Sequence, residues 1–325
     1  MSKWNYPQKG KIESADPKLY LQNMSIKEVE DRLKKNDLII VVVGSVENHG
    51  PSCPLGQDTY QCTRMAEIIA EKTGCTIAPP VWYGSHPFHH VGMPGTIVIP
   101  EDIFIGQLRA IMAGLWNMGF RKQIYFNNHG QEYVIPSAIH QFAKRYQVPC
   151  IILNYNWYHG ISELLSGKDV GNLESGFDTT FVHADEVETS FAMALFPEFV
   201  DKSKLTDTQP RGFLDSKFFD KAGNCLHRPI AWYGVVGAGP AEFAAYPEGC
   251  VGCQTKASPE KAKKAIDKIL DTFEELINMI LEKYPPGKLP DWKQLTQRFT
   301  DEEMELLLKG PLKGGKHIYT VFYPP

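Results

Sequence analysis

A chain of 325 residues with 43% hydrophobic content can bury a large core, and a net charge of −4 without a basic block argues against nucleic acid or an anionic membrane surface as partner. No apolar run reaches the roughly 18 residues that a membrane span needs. The amino end, MSKWNYPQKGKIESADPKLY, has neither an apolar h-region nor a small-residue cleavage site, so the expected location is the cytoplasm.

Ser25 is expected to cap a short amphipathic helix, IKEVEDRLKKN, with Ile26, Val29 and Leu33 on one side. Asn36 and Asp37 turn it into an apolar strand, Leu38 to Val43, which stops at Gly44. The Gly/Pro-rich loop GSVENHGPSCPLGQD follows, carrying Glu47, His49 and Asp58. A buried strand running out into such a loop is how α/β enzymes present chemistry at a strand's carboxyl end. Glu-x-His is also metal-ligand chemistry, a hard oxygen beside a borderline nitrogen. The plainer reading is a solvated loop that happens to hold charge.

A helix is expected from about Thr59 to Lys72, ending at Gly74, and CTIAPPV reads as a second strand. The aromatic, His-rich loop WYGSHPFHHVGMPGT comes next. Glu101 and Asp102 begin a helix to Asn117, KQIYFNNHGQE is a third strand running into a loop, and a helix from Tyr133 to Tyr146 precedes a fourth strand, PCIILNYNW. The alternation predicts a parallel sheet with helices on both faces. Residues 155–182 and 201–257 lack a sustained period and are expected to be long functional loops with a few extra strands. Asp185 opens a helix, EVETSFAMALF, and Ser258-Pro259-Glu260 starts the longest one, to about Tyr284. Thr300-x-x-Glu303 is a capping box in the tail. The expected division is one α/β domain over 1–284 and a carboxyl-terminal extension over 285–325, packed on the domain or on a neighbouring subunit. Seven scattered cysteines read as reduced thiols; Cys53, inside the first loop, would touch a metal centre only from outside its ligand shell.

His129 ends the third strand, His183 precedes a helix, and Glu188 sits in that helix's first turns. Singly, each histidine is more simply a hydrogen-bonded structural residue. Together, Glu47, His49, Asp58, His129 and Glu188 fall at one edge of the expected sheet. Three carboxylates and two imidazoles suit two divalent ions that share a bridging carboxylate and polarise a carbonyl.

GSVENHGPSCPLGQD, YGSHPFHHVGMPGTI, NNHGQE and HADEVETS, with GVVG and ASPEK further on, resemble the creatininase superfamily of metal-dependent hydrolases over about residues 38–283. The resemblance implies a three-layer α/β/α sandwich with a mostly parallel sheet. It also implies two divalent ions, Zn2+ and/or Mn2+, and a homo-oligomer, often a hexamer. Glu47, Asp58 and His129 would hold one ion, and His49, Asp58 and Glu188 the other. His183 would be the substrate-facing general acid/base.

This chain departs from the pattern at four places. Creatininase carries a Glu two residues after the histidine that matches His129, where this chain has Gln131, which can orient a water but cannot take its proton. Asn128 stands for a Gly, Glu132 for an Asn, and Asp185 for a Gly. Within the superfamily, NWYHG, HADEVETS and HRPIAWYG are similar to the 3-dehydro-scyllo-inosose hydrolases of inositol catabolism, which open a diketo-inositol ring by carbon–carbon hydrolysis. A polyol substrate suits Trp82, Tyr83, His86, His89, His90, Asn156, Trp157 and His159, of which His90 matches a histidine recurring in the family; ordinary loop packing is their plainer reading. A creatininase-type amidohydrolase is the alternative, and a non-catalytic metal- or polyol-binding protein the second.

Overall fold

Leu38–Val43, LIIVVV, is buried along its whole length and forms β1. It lies inside a four-stranded parallel sheet of order β2-β1-β3-β4, with β2 at Thr76–Ile77, β3 at Lys122–Asn127 and β4 at Ile151–Tyr155. The computed structural model describes residues 17–209, 211, 214–219, 246–291 and 299–322. The HRPIAWYG and GVVG motifs lie outside the described residues. In register, Ile39 pairs with Thr76 on one side and Gln123 on the other, and Val43 meets Asn127, so β1 and β3 end level. A parallel strand covered on both faces needs apolar side chains at every position, which is why LIIVVV does not alternate.

The helices are α1 (Ile26–Leu33), α2 (Gln57–Thr73), α3 (Glu101–Met118), α4 (Val134–Tyr146), α5 (Trp157–Gly160), α6 (Ser162–Leu165), α7 (Glu186–Leu195), α8 (Pro259–Lys283) and α9 (Asp301–Lys309). Leu38, Ile40 and Val42 share one core with Met65 and Ile69 of α2, Phe191 of α7 and Phe273 of α8. Ile39, Val41 and Val43 share the other with Phe104 and Leu108 of α3 and Phe142 of α4. The molecule is a three-layer α/β/α sandwich, as its strand–helix alternation predicts.

Four details differ from the sequence reading. Ile26 is 54% exposed, so α1 docks through Val29, while a Ser25–Glu28 capping box closes its start. CTIAPPV is strand only at Thr76–Ile77, because Pro79 and Pro80 have no N–H for the ladder; Ala78 and Val81 still donate to Ile40 and Val42 carbonyls at 2.8 and 2.9 Å and keep the segment beside β1. The extra strands expected in the long loops reduce to isolated bridges, His183 with Val251 and Asp207 with Cys253, among the described residues. Helix α2 starts at Gln57, so Asp58 is in its first turn rather than in the loop.

The tail adds to the second core. The Thr300–Glu303 capping box opens α9, Leu307 and Ile318 are buried with the α3–α4 layer, and Ile318 N–H donates to Asn117 Oδ1 at 2.7 Å. At the amino edge of the sheet, Lys122 Nζ lies 2.5 Å from Asp37, whose other oxygen accepts from Gly287 N–H at 3.1 Å.

Candidate metal centre

Past Val43 the chain leaves the sheet with Ser45, Glu47 and His49 all buried. His49 Nδ1 sits 3.1 Å from the Glu47 carbonyl, which turns Nε2 toward Asp58 Oδ1 at 3.3 Å and Glu188 Oε2 at 3.7 Å. Asp58 occupies the amino end of α2, where the helix dipole favours a carboxylate. Ser45 Oγ donates to its Oδ2 at 2.5 Å and Asn128 Nδ2 to its Oδ1 at 3.3 Å, with Gln61 in turn donating to Asn128 Oδ1 at 2.6 Å. Asn128, where the family has a glycine, therefore helps aim Asp58.

His129 Nδ1 lies 2.9 Å from Glu47 Oε2 and 3.3 Å from Asp58 Oδ2. Its loop is tied by Gln131, whose Nε2 donates to Gly44 O at 3.0 Å and Asn127 Oδ1 at 3.1 Å while its Oε1 accepts from Ser85 N–H at 2.9 Å. Gln131, expected from its sequence position to orient a water, is tied into the scaffold by these three bonds. Both amide hydrogens are committed to joining the ends of β1 and β3, and its oxygen holds the loop after β2.

Glu188 comes from the first turn of α7. Asp185 caps that helix, accepting from Val187 and Glu188 N–H, and its second oxygen accepts from Val182 N–H at 2.6 Å. Ala184 adopts φ 47°, and its N–H donates to Glu188 Oε2 at 2.5 Å. His183 Nε2 lies 2.9 Å from the Asn48 carbonyl, which fixes that nitrogen as the N–H and leaves Nδ1 facing Glu47 Oε1 at 3.6 Å and Glu188 Oε2 at 3.8 Å.

Charge is distributed unevenly. Burial opposes ionisation of Glu47, but His183, His90 and His129 outweigh it and hold the carboxyl well below its usual range. Burial is likewise outweighed at Asp58, lowered by His49 and His129, and at His49, where Asp58 and Glu188 raise the imidazole to about 10. His129 is also raised, by Glu47 and Asp58 against burial. Burial pushes Glu188 up to about 8, only partly offset by His49, and pushes His86 down to about 3 with His129 adding to it. His183 is lowered by burial, which Glu47 only partly offsets. Burial raises the Cys53 thiol to about 11, so it offers no thiolate.

The donor set fits divalent cations. Both oxygens of Glu47 and the Nε2 atoms of His49 and His129 are buried without a hydrogen-bond partner, although imidazoles crowd Glu47. Buried polar atoms in such a state are rare unless an ion or water completes them. His49, Asp58 and Glu188 bring ligand atoms within 4.8 Å of one another, as do Glu47, His49 and His183. A further group, Glu47, His86, His90 and His129, does the same. His86 in this role was not read from the sequence; its signal was a loop with three histidines placed just past a strand.

The aromatic residues divide. Trp82 and Tyr83 are exposed, Trp82 lying edge-on to Tyr60 with centroids 5.4 Å apart. Trp157, expected to meet substrate, is buried in the first core and packed against Phe191 and Tyr158 at 5.4 and 4.0 Å. His90 is buried in contact with Glu47. Asn156 is half-buried and His159 exposed.

The family model for creatininase, described as creatinine amidohydrolase, matches residues 22–277. The chain belongs to the creatininase family. A curated relative, 3-dehydro-scyllo-inosose hydrolase of Thermotoga maritima (strain MSB8), is 55% identical over 303 residues, covering 93% of this chain and 96% of its own. Solved creatininases in a Mn form and a Zn–Zn form superpose with TM-scores of 0.62 and 0.63 at 21% and 20% identity, each comparison covering 82% of this chain and 99% of theirs. Their likeness shows the creatininase fold. The chain is a metal-dependent hydrolase of the creatininase family.

Proposed function

We propose that this creatininase-family hydrolase opens a cyclic polyol diketone of the 3-dehydro-scyllo-inosose class by hydrolysing a carbon–carbon bond. The observation that carries the reading is the 55% identity, over nearly the full length of both chains, to a relative of that name. In this reading Glu47, Asp58 and His129 hold one ion and His49, Asp58 and Glu188 a second, Asp58 being shared. Two divalent ions, zinc or manganese, would supply a water of lowered pKa and polarise a ketone oxygen.

The remaining steps fall to side chains. Water adds to one ketone carbon, the bond to the neighbouring carbon breaks, and its electron pair moves into the second carbonyl. His183 Nδ1, left as the acceptor nitrogen because Nε2 bonds the Asn48 carbonyl, takes the proton from water and returns it to the carbon that leaves. The ring opens to one acid with one water consumed. Trp82, Tyr83 and His90 line the substrate side. Amide opening of creatininase type is the weaker reading, since Gln131 is a structural clamp and carries no carboxylate. Exposed Phe88, Val91 and Ile103 beside these loops support a homo-oligomer. No described helix is long and apolar enough to cross a membrane, and cytoplasmic location is part of the proposal.

Assaying metal-loaded protein against 3-dehydro-scyllo-inosose and creatinine side by side tests this. Turnover of the first alone is expected, with His183→Ala keeping its metal but losing about 100-fold or more in kcat, and Asp58→Asn losing metal and activity together. Turnover of creatinine alone overturns the substrate; tight polyol binding without hydrolysis makes the protein a binding module.

A further inference from the structure

The loop between β2 and α3 contributes more than a wall to the centre. Gln131 fixes the Ser85 N–H at 2.9 Å, which sets where the next residue, His86, must point. His86 is 3% exposed, yet neither ring nitrogen has a hydrogen-bond partner. A neutral imidazole carries one donor and one acceptor, and burying both unmatched is a cost that a fold does not bear without return. Its ring centroid is 4.3 Å from that of His129 and 5.9 Å from that of His90. One of its nitrogens falls within 4.8 Å of ligand atoms from Glu47, His90 and His129. A role confined to packing leaves the unmatched nitrogens unexplained, and its burial leaves little surface for substrate.

We propose that His86 is a metal ligand and that, with His90 moved from the substrate side, it joins Glu47, His129 and the shared Asp58 in a half-site of three imidazoles and two carboxylates. The assignment rests on the metal-hydrolase reading and adds donors to it. It makes the two halves chemically unequal. The half built on His49, Asp58 and Glu188 has one nitrogen and two carboxylates, which suits Mn2+, whereas a nitrogen-rich half suits Zn2+ or Co2+. One centre would therefore sort two different ions by ligand type.

The test uses the full chain stripped of metal and titrated with Co2+, Zn2+ or Mn2+ alone, reading stoichiometry by elemental analysis, affinity by chelator competition and the visible absorption of Co2+. His86→Ala and the space-conserving His86→Gln are both expected to weaken one ion at least about 10-fold, the loss that even supporting partners of ligands produce, and to alter the Co2+ spectrum. Mn2+ binding at the other half is expected to persist in both variants and to be lost in His49→Ala. If His86→Ala fails to fold, His86→Gln decides alone. Wild-type affinity and spectrum in the His86 variants overturn this assignment while leaving the metal-hydrolase reading intact. A wild type that binds no ion overturns both.

Discussion

Asp58 shows how individual residues are recruited: Ser45 and Asn128 donate to its two oxygens, and His49 and His129 approach it at 3.3 Å each. Without metal, the protonated imidazoles of His49 and His129 stand where cations would. Raised folded-state values mean that this contribution is complete below the unfolded histidine pKa, near 6.5, and is lost as pH rises toward about 10. Glu188, raised from an ordinary carboxyl value to about 8, adds a loss that begins near pH 4.5 and is complete by about pH 8, overlapping the lower part of that window. The chelated protein is therefore expected to melt several degrees lower at pH 9.5 than at pH 6.5, while metal-loaded protein, with ions replacing protons, changes much less; differential scanning fluorimetry with and without EDTA checks it. Glu47, His49, Asp58, His129 and Glu188 were legible because each follows a strand or opens a helix in a recognisable motif. The ligand role proposed for His86 and the clamping role of Gln131 were not, because both depend on contacts between segments far apart in sequence.

Helix α7 is the element that most directly sets the site, since one turn of it presents Glu188 while the residues just before it carry His183. Asp185 ends the loop by capping α7 and by accepting from Val182 N–H, so a single side chain fixes both flanks of the positive-φ Ala184. A second anchor lies one residue on: Glu186 accepts from Asp178 N–H and Thr179 N–H and meets Lys261 of α8 at 2.5 Å. Asp185→Ala is expected to cost about 1–2 kcal/mol, the value of a lost cap, and to weaken metal binding without unfolding the chain. Urea denaturation and metal titration of the variant measure the two effects separately. Strands β1, β3 and β4 could be read from their apolar runs, and α3, α4, α7 and α8 from period and caps. β2 was overextended because prolines removed its donors, and residues 155–182 could not be resolved into α5 and α6 because four-residue helices carry no period.

Across the whole molecule, chemistry and anchorage occupy opposite edges of one sheet. The candidate ligands gather where the strands end; where β1 and β3 begin, Lys122, wholly buried, meets Asp37, which is 2% exposed. Gly287 N–H completes that pair and pins the start of the tail there. Lys122→Met strands the Asp37 charge in the interior and is expected to destabilise by about 3–5 kcal/mol. Its urea midpoint should fall while metal stoichiometry stays at the wild-type value, because the pair is at the far edge. The donors at the near edge come from the loop after β1, the start of α2, the loop after β2, the end of β3 and the start of α7. During synthesis, then, the four strands and helices α1 to α6 emerge before Glu188 exists, and the centre can close only once α7 has left the ribosome. An ion captured at that moment ties together segments made early and late, closing long loops whose ends the unfolded chain would rarely bring into contact.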